Sequence, residues 1–392
     1  MTETSTPNVP TSSPPPSTKE EPTTHGDPPA WDESECTVAF GAGELDLRRT
    51  LQPGQCFTWD EVRPGVFEGV LHGCLLRFWT TPTDPAADTS TDAHTPPVVL
   101  HCHCTHPHTP PLPDADPWPA APDPAADLAA FVRWYFRADV ALAALHDTWA
   151  HSTHPLARAL SGSSSTSTSG SPGVRLLRQE PVECLVSFIC SQNNRVPRIH
   201  ALVAALRTHY GTPLALPAHT QAHAFPSLAR LAAAPPEELA HLRLGYRAPY
   251  IAAAAAGVLA HGGAAWLHGL AAPEVSAADA LTALETLHGV GPKVAACTAL
   301  YALDKRALVP LDVHMLAVAA RALPGSRSAA SSPVARARVQ AAFVDAFGEY
   351  AGWAQAVLFT REIEGPSESL PQKQEQKQQQ QPPAKRARKR ST

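Results

Sequence analysis

The sequence predicts an α+β protein, with an N-terminal antiparallel β-rich domain followed by a large all-helical domain and with disordered termini and insertions. Three observations predict it. Between Cys36 and Trp79, turn signals separate short runs of alternating apolar and polar residues. Beyond Arg175, apolar residues recur at helical spacing through eight successive segments. Proline, 41 of 392 residues and about twice the usual share of roughly 5%, crowds into residues 7–29 and 81–124, away from most of those runs.

The elements follow in order. Residues 1–35 read as a disordered acidic, Pro-rich leader, because they are too poor in aliphatic side chains to offset the entropy of ordering. Residues 36–149 form the N-terminal domain, interrupted by a mostly disordered insertion at 80–127. Within it, Gln52-Pro53-Gly54-Gln55 signals a turn and Val66–Leu71 a strand, and Val98–Cys104 reads as a further strand. Leu128, Phe131, Val132, Tyr135 and Phe136 have helical spacing in a stretch that extends to Trp149. Residues 161–171 are almost entirely Ser, Thr and Gly, a flexible loop. The helical domain spans 172–361, with segments at 181–190, 199–209, 250–259, 277–287, 294–303, 312–322, 334–347 and 350–359. Residues 366–392 are a Gln-rich and basic tail.

The net charge of −5 conceals an uneven distribution. Residues 1–35 hold seven acids and one Lys, residues 80–127 seven Asp and no Lys or Arg, and the tail seven Lys or Arg and two Glu. The rest is mildly basic, compatible with binding phosphates. Eight scattered Cys lack a secreted-scaffold spacing and predict reduced intracellular thiols. No apolar run reaches membrane-span length, and no signal peptide or Arg-rich transit peptide is recognisable, so a soluble intracellular protein is expected.

The chemistry concentrates in Leu287-His288-Gly289-Val290-Gly291-Pro292-Lys293, between two helical stretches. Gly289 and Gly291 let the chain turn tightly and bring backbone N–H groups to an anion, and the next helix points its positive end at the same place. Such a hairpin at about 281–303 can hold a DNA phosphate without reading sequence; on its own it reads more readily as a plain turn. Lys293 opens a helix that is apolar on its other faces. The dipole there disfavours a cation, which favours a neutral, nucleophilic amine; the plain alternative is a snorkelling or phosphate-binding Lys. Asp312, in Val309-Pro310-Leu311-Asp312-Val313-His314, is placed as a helix N-cap. A carboxylate held near an amine can also orient it and stabilise positive charge as a sugar–base bond breaks.

These two segments resemble the helix-hairpin-helix DNA glycosylase superfamily with its catalytic Lys and Asp. The surrounding blocks Pro53–Trp59, Val174–Gln179, Phe188–Asn194, Leu244–Ala248, Ala302–Lys305 and Tyr350–Phe359 resemble one branch closely, the eukaryotic 8-oxoguanine DNA glycosylase/AP lyases. The resemblance covers roughly residues 36–79 and 128–361. It implies a bifunctional enzyme of base-excision repair, without cofactor or metal, acting as a monomer on double-stranded DNA that carries 8-oxoguanine opposite cytosine. Downstream repair proteins are its possible partners. By resemblance, Lys293 attacks C1′ and forms a Schiff base, with Asp312 as its carboxylate. The base pocket falls on Gly54, Cys297, Pro310, Asp312, Gln355 and Phe359. The Gly54 carbonyl would accept the N7–H that separates 8-oxoguanine from guanine, whose N7 is an acceptor. Phe359 would stack on the base and Gln355 read its Watson–Crick edge. Asn193, Arg198 and Arg247 fall on residues for the orphaned cytosine, Tyr246 on a wedge, and His314, with Gly289 and Gly291, on backbone contacts. The chain departs from the pattern at Gln192 and Arg195, where smaller or uncharged residues are expected, at Pro197 before Arg198, at Pro249 in a basic position, and in a shortened segment before Leu244.

Other readings are weaker. His101–His108 alternates His and Cys, but zinc sites usually take two separated pairs, and the alternation fits a strand edge. No Cys follows Cys297, which disfavours the iron–sulfur branch of the superfamily. A glycosylase for alkylated bases would share the Asp but generally lack the Lys. A non-catalytic scaffold would not require Lys293, Asp312, Gln355 and Phe359 together. The basic run Lys385–Arg390 predicts nuclear import.

Overall fold

The computed structural model describes residues 31–83, 97–107, 118–161, 173–216, 221–326 and 332–364. Five strands, β1 (Trp31–Phe40), β2 (Asp60–Arg63), β3 (Val66–Leu71), β4 (Cys74–Pro82) and β5 (Val98–Pro107), form one antiparallel sheet in the order β1-β5-β4-β3-β2. The short helix α1 (Leu47–Leu51) lies between β1 and β2 in sequence. Thirteen of the fourteen remaining helices follow α2 (Leu128–Tyr135), which packs its buried Leu128, Phe131, Val132 and Tyr135 into the core of the sheet.

The acidic leader ends sooner than its composition predicts. β1 begins at Trp31 and pairs along its length with β5, Cys36 opposite Cys102. Its Glu33, Glu35 and Thr37 are exposed while Val38 and Phe40 are buried, so these acids are the solvent face of an edge strand, where charge discourages pairing with other chains. The insertion also contracts. β4 runs to Pro82, β5 is a ten-residue strand, and Trp118 is buried in the sheet core. What remains, residues 84–96 and 108–117, lies outside the described residues, as do 1–30, the Ser-rich stretch 162–172 and the tail from 365. Residues 84–96 are inserted between paired neighbours, with Thr83 N–H donating to Pro97 O at 3.1 Å.

The helical domain contains α3 (Leu142–Ala150), α4 (Pro155–Ser161), α5 (Pro181–Cys190), α6 (Val196–Tyr210), α7 (Leu228–Ala233), α8 (Pro236–His241), α9 (Arg247–Ala260), α10 (Ala264–Gly269), α11 (Ala277–Glu285), α12 (Pro292–Ala302), α13 (Val313–Ala322), α14 (Pro333–Phe347) and α15 (Ala351–Glu364). α3 was expected with the N-terminal domain. It instead packs its buried Leu142 and Trp149 into the helical core, with the Trp149 ring 5.3 Å from Phe347. The helical spacing from Leu128 breaks after α2 because Arg137 adopts φ +50°, buried and ion-paired with Asp304.

Caps and prolines set the helix starts that matter here. Glu180 accepts from Val182 N and Glu183 N ahead of Pro181, and Ser276 accepts from Asp279 N at 3.1 Å. All ten residues of α5 are buried, Glu183 among them with Thr58 and Arg207 as its partners, and α12 packs beside it. Arg175 joins the two cores. Fully buried, it donates to Glu44 and to Phe136 O and Val140 O, and lies 5.2 Å from the Phe40 ring and 5.7 Å from Trp353. Among the described residues no helix is long and apolar enough to cross a membrane.

Candidate active site

α12 carries Lys293 in its first turn and Cys297 one turn later, on the same face. Lys293 Nζ donates to Ser191 Oγ at 3.3 Å and lies 5.7 Å from the Phe188 ring. Ser191 is buried, and its own hydroxyl proton goes to Phe188 O at 2.7 Å. The oxygen therefore presents a lone pair to the amine. Ser191 was not assigned a role from the sequence; its place at the C-terminal end of α5, inside the Phe188–Asn194 block, was the available signal.

Asp312 is the N-cap of α13: its Oδ1 accepts from His314 N at 3.0 Å and Met315 N at 2.9 Å. Both cap bonds fall on one oxygen, so Oδ2 takes no part in the cap. Lys293 and Asp312 meet electrostatically at Cys297. Burial pushes the Cys297 thiol up to about 12, with the Lys293 cation pulling it down and the Asp312 carboxylate raising it further. Cys297 thus stays protonated at neutral pH and forms wall rather than nucleophile.

On α15, Gln355 is 3% exposed, yet its Oε1 has no hydrogen-bond partner. Buried side-chain acceptors are normally satisfied, so this one is poised for a donor. One turn later the half-buried Phe359 meets His314 edge to face at 5.7 Å. Pro310 is buried just before the cap. Gly54 adopts φ +87°, and a Cβ there would sit 2.9 Å from Val196 Cγ2, at the start of α6. Its neighbour Gln55 is buried and bonded to Thr50 O, Arg175 O and Leu177 N, so the Gly54 backbone is rigidly placed.

The hairpin between α11 and α12 anchors Leu287 and Val290 in the core and turns at Gly289, φ +85°. A Cβ at Gly289 would lie 2.4 Å from Tyr250 Cβ, whereas a Cβ at Gly291 meets nothing within 4 Å. Gly289→Ala should therefore deform the hairpin. The left-handed backbone alone costs about 1–2 kcal/mol for a non-glycine residue, and the contact with Tyr250 adds to it. We expect at least tenfold weaker binding to undamaged duplex at low salt, read by fluorescence anisotropy; wild-type affinity would remove the hairpin from the interface.

The residues assigned to the orphaned base lie on two segments that the structure joins. Asn193 is exposed at φ +46°, a conformation Asn tolerates. Arg247 does not project outward. It is 4% exposed, lies 4.5 Å over the Tyr246 ring, and donates to Gln192 O, Asn193 O and Leu244 O. Tyr246, half exposed, also donates to Gln192 O, at 3.1 Å. Arg198 is exposed and donates to Arg243 O at 3.4 Å. The His101–Cys104 run alternates on β5, with Cys102 and Cys104 buried. Among the described residues no three His, Cys, Asp or Glu side chains are grouped to hold a metal ion.

A half-buried Lys and a half-buried Asp that both act on Cys297, with a glycine hairpin just before the Lys, in a helical body that follows an antiparallel sheet, define a helix-hairpin-helix DNA-repair protein. Residues 37–185 match the 8-oxoguanine DNA glycosylase N-terminal domain, and residues 186–340 match the HhH-GPD superfamily of base excision DNA repair proteins. The chain is 34% identical over 329 residues to the N-glycosylase/DNA lyase OGG1 of Arabidopsis thaliana, covering 82% of this chain and 78% of that protein. It is 33% identical over 264 residues to an N-glycosylase/DNA lyase of Saccharomyces cerevisiae, covering 60% of this chain and 66% of that protein. Among solved structures, MBOgg1 in complex with a low-affinity DNA ligand superposes with a TM-score of 0.63 at 26% identity, covering 85% of this chain and 98% of that one. The chain belongs to the 8-oxoguanine DNA glycosylase/lyase family.

Proposed function

We propose that this protein flips and excises 8-oxoguanine paired with cytosine from duplex DNA and then nicks the abasic site by β-elimination through a Schiff base on Lys293. Family membership carries the reaction class, N-glycosylase and DNA lyase. The influence of both Lys293 and Asp312 on Cys297, together with the unpartnered Gln355 acceptor, supports the assignment of roles.

A stacked base must leave the helix before chemistry can reach it. Phosphates of the damaged strand would rest against the hairpin, where the open space at Gly291 admits an oxygen to the start of α12. The flipped base would stack on Phe359 and donate to Gln355 Oε1, and the Gly54 carbonyl would accept its N7–H. Guanine presents an acceptor at N7 and would leave that carbonyl facing a lone pair. The Lys293 amine, neutral once its ammonium proton is lost, attacks C1′; the glycosidic bond breaks with its electron pair leaving on the base, which takes up a proton. The Asp312 carboxylate stabilises the positive charge on the sugar. Ring opening gives the Schiff base; loss of a C2′ proton expels the 3′ phosphate and cuts the strand. Incubation with duplexes carrying 8-oxoguanine opposite each of the four bases tests this, and an intact lesion in all four duplexes would overturn it.

We further propose that the protein works in the nucleus, on the strength of the basic run Lys385–Arg390. Removing residues 372–392 is expected to shift a fusion too large for passive diffusion from nucleus to cytoplasm, without altering activity on short duplexes. Undiminished nuclear enrichment would count against an import signal there.

A further inference from the structure

We infer that Gln192 is a positioning residue that couples the hairpin to the group reading the opposite base, its side chain holding the first and its main chain the second. This deepens the function proposed above and rests on it.

Gln192 occupies the turn between α5 and α6. Its Nε2 donates to Gly289 O at 2.7 Å, 97 residues along the chain, at the crest of the hairpin. Its backbone carbonyl accepts from Arg247 Nε at 2.9 Å and Tyr246 Oη at 3.1 Å, and Arg247 Nη2 also reaches it. One residue before it, Ser191 receives the Lys293 amine; one residue after it, Asn193 sits at φ +46° with its carbonyl bound by Arg247. Three consecutive residues thus touch the nucleophile, the hairpin crest and the opposite-base group. Only the middle one reaches the hairpin crest with a side chain.

The length of that side chain decides the link. Gly289 is the hairpin residue at positive φ, so its carbonyl orientation is coupled to the turn that aims the Val290 and Gly291 amides. A tie at that carbonyl fixes the hairpin relative to the Gln192–Asn193 main chain, on which Arg247 and Tyr246 rest. A serine here, nearer the small residue the resemblance predicts, lacks the reach. Movement of Arg247 towards a base would therefore be felt at the hairpin, and phosphate engagement at the hairpin would be felt at Asn193.

Gln192→Met keeps the length and removes the donor, and Gln192→Glu places an acceptor against the Gly289 carbonyl. In both variants, hydrogen–deuterium exchange of the peptide covering residues 287–291 is expected to quicken at least fivefold without DNA. The ratio of single-turnover excision rates opposite cytosine and adenine should fall at least threefold, with the melting midpoint within about 2 °C of wild type. A merely structural role would move the midpoint and leave the ratio alone. Wild-type exchange in both variants overturns the link, and faster exchange with an unmoved ratio overturns the coupling. If the wild-type protein leaves 8-oxoguanine in place, the reaction assigned above falls, and the exchange measurement still judges the link.

Discussion

Lys293→Gln is expected to abolish both base release and strand cleavage, by roughly 10³-fold or more in single-turnover rate, as loss of a covalent nucleophile usually does. Duplex affinity should stay within about threefold of wild type, because the hairpin offers backbone groups and the amine points inward to Ser191 Oγ and the Phe188 ring. Reduction with borohydride during the reaction should trap the wild-type protein on 8-oxoguanine duplex as a covalent adduct, and the variant should give none. Asp312→Asn separates the two chemical roles. Its amide oxygen can still accept the cap bonds from His314 N and Met315 N, so the fold should hold while the charge proposed to stabilise the sugar cation is gone. Full base release by Lys293→Gln would show that the nucleophile is a water or another side chain.

The parts of this site that a sequence displays are those fixed by local rules. A Gly pair before Pro292, and Asp312 two residues after Pro310, announce a hairpin and a cap because φ preference and capping act over a few residues. Strand β3 and helix α5 begin and end where alternation, Pro181 and the following turn place them. What escaped notice depends on partners far along the chain. The acids of β1 became an edge strand only because β5, beyond a Pro-rich insertion, supplies its ladder. α3 joined the helical core through Phe347, nearly two hundred residues on. The short helices α7, α8 and α10 carry too few turns to show a period. Ser191 and Gln192 likewise look like ordinary helix-end polar residues until Lys293 and Gly289 come beside them.

Excision opposite cytosine is expected to exceed excision opposite adenine by at least tenfold in single-turnover rate. Asn193, Arg198 and Arg247 come from two segments; the carbonyls of Gln192 and Asn193 tie Arg247 to the first, and Arg198 reaches back to Arg243 O on the second. Four of the five Arg247 N–H groups are engaged, one to Leu244 O, one to Asn193 O and two to Gln192 O. Reaching a base means exchanging some of those bonds for new ones, so only a partner offering matching acceptors makes the move favourable. Cytosine presents O2 and N3, which suit two guanidinium forks. Adenine presents C2–H where cytosine has O2 and so leaves a guanidinium donor unpaired; an unpaired buried donor costs about 1–3 kcal/mol and a charged one more, and about 1.4 kcal/mol is tenfold. The same direction follows from the consequence of the reaction, since removing 8-oxoguanine opposite adenine would leave the wrong base as template. Arg247→Ala should bring the two rates within about threefold of each other. Arg247→Lys should not restore the ratio, because an ammonium keeps the charge but cannot fork to two acceptors. Equal wild-type rates opposite cytosine and adenine would remove Asn193, Arg198 and Arg247 from the reading of the partner base, and leave Lys293 and Asp312 to be judged by the trapping experiment alone.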